Sequence, residues 1–268
     1  MSTAGKGLVR KYGFVLTAWK LNLAGAMEFR MSFFLTAGMM MLNNAVFLFF
    51  WAMYFQRFPL VNGWSLNDVM MVWAVSTTGY GISNVLFGNA LRIANLVAGG
   101  DLDAYLIQPK PVLLNVLVNR MSLLAAGDLL FGLVCYGIFG DHAFAGFGRF
   151  AIAALFSTLL FTFFHILTQS LAFYIGNAEN LGYQFFIGFV TFSTYPTDIF
   201  KGMGRILLFT VIPAGFISYM PIGLLRTPEA GFLAGLLLVT ALLGISAITV
   251  FYKGLARYSS GNRIGMKS

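Results

Sequence analysis

The sequence is short of almost everything a soluble or catalytic domain needs. It has one cysteine in 268 residues, which excludes a disulfide framework and a cysteine-based metal site. Cys135 lies in an apolar run, where a thiol reads as buried and inert. Charged residues make up 10% of the chain and hydrophobic ones 59%, against about 25% and 45–50% in soluble domains. That shortage of charge makes the chain an integral membrane protein. The only histidines are His142 and His165, too dispersed for a metal site or an intramembrane hydrolytic centre. Acids number nine against 17 lysines and arginines, for a formal net charge of +8. These cations bracket apolar runs instead of forming a patch, so the excess reads as membrane topology and excludes a nucleic-acid partner. A phosphate-binding loop is also missing. The nearest match to G-x-x-x-x-G-K-[ST], Gly5-Lys6-Gly7, lacks both the spacing and the hydroxyl. The chain therefore carries no ATPase site, and its energy must come from a partner or a gradient. Met1 to Arg30 has no compact apolar core followed by a small-residue cleavage site, so the start reads as retained.

What is present is a series of apolar runs. A helix needs about 20 such residues to cross the hydrocarbon core. Phe33–Phe55, Val69–Leu91, Leu113–Phe139, Phe150–Ile175, Leu181–Phe200 and Gly231–Tyr252 all qualify, predicting an all-α, six-span polytopic protein across 32–252. The run 206–225 is apolar but broken by Pro213 and Pro221. Both flanks of the span region are basic: residues 1–31 carry Lys6, Arg10, Lys11, Lys20 and Arg30, and 253–268 carry Lys253, Arg257, Arg263 and Lys267. Cations favour the cytoplasmic side, so both termini are expected there and the number of crossings is even. Six spans fit if 206–225 enters and leaves on the outer side as a re-entrant hairpin; a seventh, kinked span is the other reading. Gln56–Asp68 and Gly140–Arg149 then face outward, and Arg92–Pro111 and Gly176–Asn180 inward. Ahead of the first span, Leu8, Tyr12, Val15, Trp19 and Leu23 share one helical face, with Lys6, Arg10, Thr17 and Lys20 opposite. This pattern predicts an amphipathic helix lying in the interface of the lipid bilayer.

The inner loop 92–111 is the most punctuated segment. Gly99 and Gly100 are expected to stop the preceding helix and Asp101 to cap a short new one, with Asp103 in its first turn. Leu102, Tyr105 and Leu106 give it an apolar face, and Pro109 and Pro111 end it. The expectation is a short helix held off the membrane that shows this stripe to the cytosol for a partner. Folding of the stripe back onto the chain is the alternative.

Ionisable residues at membrane depth are costly and often functional. Asp128 lies within span three with Arg120 two turns nearer the cytoplasm, and His165 lies in span four near Thr162, Thr168 and Gln169. One reading makes Asp128 and His165 a proton relay, or Asp128 the counter-ion of a cationic substrate. The other has Arg120 snorkel to the interface and Asp128 bond a neighbouring helix. Trp51, Tyr54, Phe55, Trp73 and Tyr80 allow a surface for a flat cation or an interfacial aromatic belt.

Two runs carry a resemblance. GGDLDAYLIQPKPVLLNVLVNR, from Gly99, resembles the first cytoplasmic loop of type-two ATP-binding-cassette exporter permeases. YPTDIFKGMGRILLFTVIPAGFISYMPIGLL, Tyr195 to Leu225, resembles the segment between the fifth and sixth spans in a bacterial branch of that superfamily. The resemblance implies two permease chains, identical or different, paired with nucleotide-binding subunits that hold ATP and Mg. This chain would bind no cofactor itself. Asp101, Leu102, Asp103, Tyr105, Leu106 and Pro109 would form the coupling helix, and Pro196, Pro213 and Pro221 would shape an outer re-entrant gate. The location implied is the bacterial inner (plasma) membrane. The branch includes exporters of viologens and other drugs, so the implied substrate is a hydrophobic or cationic small molecule or a lipid-linked compound. The alternative is a proton-coupled secondary transporter using Asp128 and His165, though its halves show no repeat.

Overall fold

A computed structural model describes residues 3–175, 178–196, 198, 200–226 and 229–259, excepting the side chains of 3–12 and 179. Leu8, Tyr12, Lys6 and Arg10 of the expected amphipathic faces, Lys11 of the basic N-terminal flank, and Arg263 and Lys267 of the tail thus lie outside the described side chains. Among the described residues the chain is helical, with an isolated bridge between Val61 and Trp64.

Helix α1 (Thr3–Glu28) runs to Phe29, where the chain turns into α2 (Arg30–Arg57). Phe34, Leu35, Met39, Leu42, Val46 and Phe49 of α2 stand exposed, a surface that lipid would satisfy and water would not. Helix α3 (Leu66–Phe87) is the opposite case. It sits at the centre, buried along most of its length, and its Ser76, Thr77, Thr78, Ser83 and Asn84 are tolerated because other helices surround them. Ser65 caps it and Asp68 closes a capping box, with the Ser65 N–H donating to Asp68 Oδ2 at 2.8 Å.

After α3, a 3-10 turn at Gly88–Arg92 leads into α4 (Ile93–Gly99). Gly100 ends α4 in the left-handed conformation, φ 76°, which glycine adopts without a Cβ clash. A four-residue helix, α5 (Asp103–Leu106), follows. The third apolar run is not one helix but two, α6 (Val112–Val118) and α7 (Leu123–Phe139), bent by 78°. Ser122 explains the break: its hydroxyl accepts from the Ala125 N–H at 3.4 Å as a new cap, while its N–H donates to Asn84 O at 3.0 Å.

Helix α8 (Phe144–Gln169) continues through a 3-10 turn to Phe173, and α9 (Ala178–Ser193) stops well short of the expected Phe200. Helices α10 (Met203–Thr210), α11 (Gly215–Ser218) and α12 (Met220–Arg226) form a second bent pair, at 82°, before α13 (Ala230–Leu255). Among the described residues, three helices are long and apolar enough to cross a membrane, Arg30–Arg57, Phe144–Phe173 and Ala230–Leu255, or up to five if each bent pair is one span. The six expected spans are thus seen only in part. Helix α3 is too polar to count by hydropathy, and α9, at 16 residues, is shorter than the roughly 20 a crossing needs.

Small residues let the central helices meet closely. A Cβ on Gly81 of α3 would sit 2.6 Å from the Leu129 backbone of α7, and one on Gly127 would sit 2.3 Å from Ala37 O of α2. Such contacts drive association where lipid removes the hydrophobic force between helices.

Candidate functional site

Three arrangements carry the chemistry. The first is a cavity of about 270 Å³ among α2, α3, α7, α8 and α9. Asp128, on α7, is 3% exposed and lines it. Its Oδ1 accepts from Asn44 Nδ2 of α2 at 2.7 Å, and its buried Oδ2 has no hydrogen-bond partner among the described residues. The neighbouring-helix bond expected of Asp128 is therefore present. Phe47, Trp73, Tyr80, Phe161, Phe186 and Tyr195 supply aromatic walls. Phe47 and Trp73 stack at 5.3 Å. Ser76 of α3 bonds Ser193 of α9 at 3.0 Å on the same side. Trp51 and Trp73 are buried, so they form no lipid-facing belt.

A wider cavity of about 700 Å³ adjoins the first, sharing Thr191 and Tyr195 with it. Trp51, Tyr54, Phe55 and Trp64 line it, with Pro196 and Lys201. Pro196 is buried just beyond the end of α9.

His165 is fully buried and neither ring nitrogen has a hydrogen-bond partner among the described residues. It is enclosed by the rings of Tyr80, Phe161 and Phe186 at 6.4, 6.0 and 5.6 Å. Thr162 bonds Ser83 at 2.8 Å, and Gln169 Oε1 accepts from the Ala94 N–H at 3.3 Å. Arg120 is exposed at the bend between α6 and α7. The expectation that it stacks two turns below Asp128 fails, because no continuous helix joins them.

The second arrangement is the loop 92–111. Its helix begins with Leu102 at the capping position, one residue beyond the expected Asp101, and the Leu102 side chain makes no capping bond. Leu102 is 0% and Tyr105 9% exposed, and both join a cluster with Ile93, Val97, Leu113, Val116 and Phe251. The stripe expected to face outward is in this part folded inward, because these side chains find an apolar interior at the bundle's end. The Tyr105 hydroxyl accepts from Asn119 Nδ2 at 2.8 Å and Asn89 Nδ2 at 3.4 Å. Leu106 and Ile107 project instead, 41% and 84% exposed, with Pro109 also exposed. Tyr258, from the tail, packs on the same cluster. Its hydroxyl is pushed up to about 12, first by burial and then by Asp103 and Asp101. Helix α1 braces this end: Trp19 Nε1 donates to Leu86 O at 2.8 Å and Asn22 Nδ2 to Val118 O at 2.9 Å. Each satisfies a carbonyl where a broken helix ends.

The third lies at the opposite end. Trp64 Nε1 donates to Asp198 Oδ2 at 2.8 Å, and Arg205 pairs with Asp198 at 3.4 Å. Arg226 lies over the Trp64 ring at 4.9 Å and bonds Asp68. The α12 end of the bent α10–α12 segment thus meets the turn at 61–64 directly, and α10 is tied to it through Asp198. Pro213 falls at its bend, and Pro221 lies in the first turn of α12, where a missing N–H costs no helical bond.

Asn44, Phe186, Tyr195 and Ile107 were not singled out from sequence. The signal for Asn44 was there: Asn43-Asn44 interrupts an otherwise apolar helix. Among the described residues no group of three or more His, Cys, Asp or Glu is placed to hold a metal.

Residues 41–261 match the family model described as ABC-2 family transporter protein. No curated protein and no solved structure matches the chain.

Proposed function

The chain belongs to the ABC-2 transporter family, and from that premise we propose that this multi-pass permease subunit moves its substrate by coupling to separate ATPase subunits through residues 92–111. The braced loop with Ile107 projecting carries the reading. A short helix is anchored on one side by Leu102 and Tyr105 and presents Leu106, Ile107 and Pro109 on the other. Exposed apolar residues on an otherwise rigid, polar segment suit a partner's cleft. A push there would pass through Tyr105 to Asn89 and Asn119, at the ends of α3 and α6, so both helices would respond. The docking face differs from the one expected from sequence in that Tyr105 transmits and Ile107 contacts.

In this reading a second permease, a copy or a different chain, completes the path, and ATP and Mg reside in the ATPase partners. The substrate is a hydrophobic or cationic small molecule or a lipid-linked compound. The bent α10–α12 segment is a re-entrant hairpin at the outer exit, a reading supported by the ties of Arg226 to Trp64 and of Arg205, through Asp198, to the same ring. The termini are cytoplasmic and the membrane is the bacterial inner membrane. The secondary-transport alternative needs a hydrogen-bonded route between Asp128 and His165, and the aromatic enclosure of His165 speaks against one.

The test is capture of partners from native membranes by the tagged chain. A phosphate-binding-loop ATPase should co-purify with the natural protein and be lost on Ile107→Asp, with thermal stability unchanged. Retention of the ATPase by that variant, or its absence from both samples, would sink the docking role.

A further inference from the structure

The narrow cavity is unusual for what surrounds its carboxylate. Asn44 holds Oδ1 of Asp128 at 2.7 Å, fixing the group so that Oδ2 is left buried and, among the described residues, unpartnered. No Lys, Arg or His lines this cavity among the described residues. The side chains around it include the aromatic Phe47, Trp73, Tyr80 and Phe186 and the polar, uncharged Ser76 and Thr77. An ionised carboxylate at membrane depth with no opposite charge is unstable unless something supplies one. Aromatic faces present negative quadrupole to the same space. Asp128 is the one carboxylate among the described residues lining the cavity, so a single positive charge on a bound group would balance it.

We infer that this cavity is a binding site for a monovalent, aromatic-sized organic cation, with Asp128 Oδ2 as counter-ion and the rings of Trp73 and Tyr80 as walls. The inference builds on the transport reading by naming the substrate class. The cavity shares Thr191 and Tyr195 with the wider aromatic cavity beside Trp51 and Trp64. Tyr195 touches the Trp51 ring at 5.9 Å and so stands where a ligand would pass from one to the other. Asn44 is a positioning residue: it acts by orienting the carboxylate.

The experiment uses the full chain in lipid nanodiscs at pH 8, without nucleotide or ATPase, and isothermal titration with two probes of the same shape. N-methylquinolinium is cationic; 2-methylquinoline is neutral at that pH. The natural protein should bind the cation about thirtyfold more tightly or better, the size expected when a buried charge finds its partner. Asp128→Asn should erase that preference while leaving the neutral probe's affinity unchanged, and Asp128→Glu should restore part of it. Equal affinity for both probes in the natural protein overturns the site without recourse to any variant. So does a preference that survives Asp128→Asn. Binding with no ATPase captured would count against the coupling reading alone, and capture without cation preference against the site alone.

Discussion

Arg226, at the end of α12, reaches Asp68 at the start of α3, with Nε 2.7 Å from Oδ1. Two segments 158 residues apart are tied by a carboxylate that also closes the α3 capping box. Burial alone raises the Asp68 carboxyl, but the bonds from Arg226 and from the side chain and backbone of Ser65 outweigh it and hold it below 3.8. A folded-state value lowered in this way contributes stability that is present above the unfolded value of 3.8 and lost as pH falls through the folded one. Arg226→Gln is therefore expected to cost about 0.5–1 kcal/mol at neutral pH, a modest figure because the guanidinium is well exposed and screened. Thermal unfolding in nanodiscs should show the gap between variant and natural protein narrowing as pH drops below 3.8. A gap that widens in acid would contradict the pairing.

Tyr105 gives a second prediction, and its direction depends on the loop being folded inward. Its hydroxyl accepts from Asn119 and Asn89. Asn89 keeps its bond to Val116 O at 2.9 Å without it, whereas Asn119 loses its partner. Tyr105→Phe should lower stability by about 0.5–1 kcal/mol, the net worth of one hydrogen bond whose donor, the exposed Asn119, can turn to solvent. Tyr105→Ala should cost more, since it also empties space within the cluster of Leu102 and Phe251. Chemical denaturation of the detergent-solubilised protein measures both. Variants as stable as the natural chain would mean that the ring faces outward after all.

Local chemistry made much of the fold legible. Gly100 ends a helix because its backbone needs a positive φ, and Pro213 sits at a bend; each rule concerns neighbours in sequence. The break between α6 and α7 was hidden, because apolar composition runs through it and Ser122 becomes a cap only once Asn84 is beside it. Orientation of the loop helix was hidden for a similar reason. Spacing puts Leu102, Tyr105 and Leu106 on one face, but only packing against Phe251 and Val116 decides that the first two turn inward. Asp128 stood out as an intramembrane charge; its partner Asn44 and the rings of its cavity come from five helices, and no periodicity reports such a meeting.

Cys135 offers a probe that needs no variant. It is 1% exposed, and its Sγ lies 3.3 Å from Met70 O between α7 and α3. Thiol reagents need an accessible thiolate, so a maleimide should leave the folded protein unlabelled and label it fully after denaturation in sodium dodecyl sulfate. Mass spectrometry gives the stoichiometry directly. Rapid labelling of the native chain would show that the α3–α7 seam opens.

That seam supplies a clean contrast between two glycines. A Cβ at Gly81 would lie 2.6 Å from the Leu129 backbone, an obstacle that cannot rotate away, while one at Gly137 meets nothing within 4 Å. Gly81→Ala must push α3 from α7, and overpacking of this kind costs about 1–3 kcal/mol. Gly137→Ala, within α7, should be neutral or slightly stabilising, since alanine is the better helix former. The pair separates close approach from helix propensity, because both substitutions add the same methyl group. Thermal unfolding of the two variants in the same nanodiscs should place Gly81→Ala clearly below the natural protein and Gly137→Ala at or above it. Since Asp128 lies on α7 and Tyr80 on α3, a forced separation should also weaken binding of N-methylquinolinium, whereas Gly137→Ala should leave it intact.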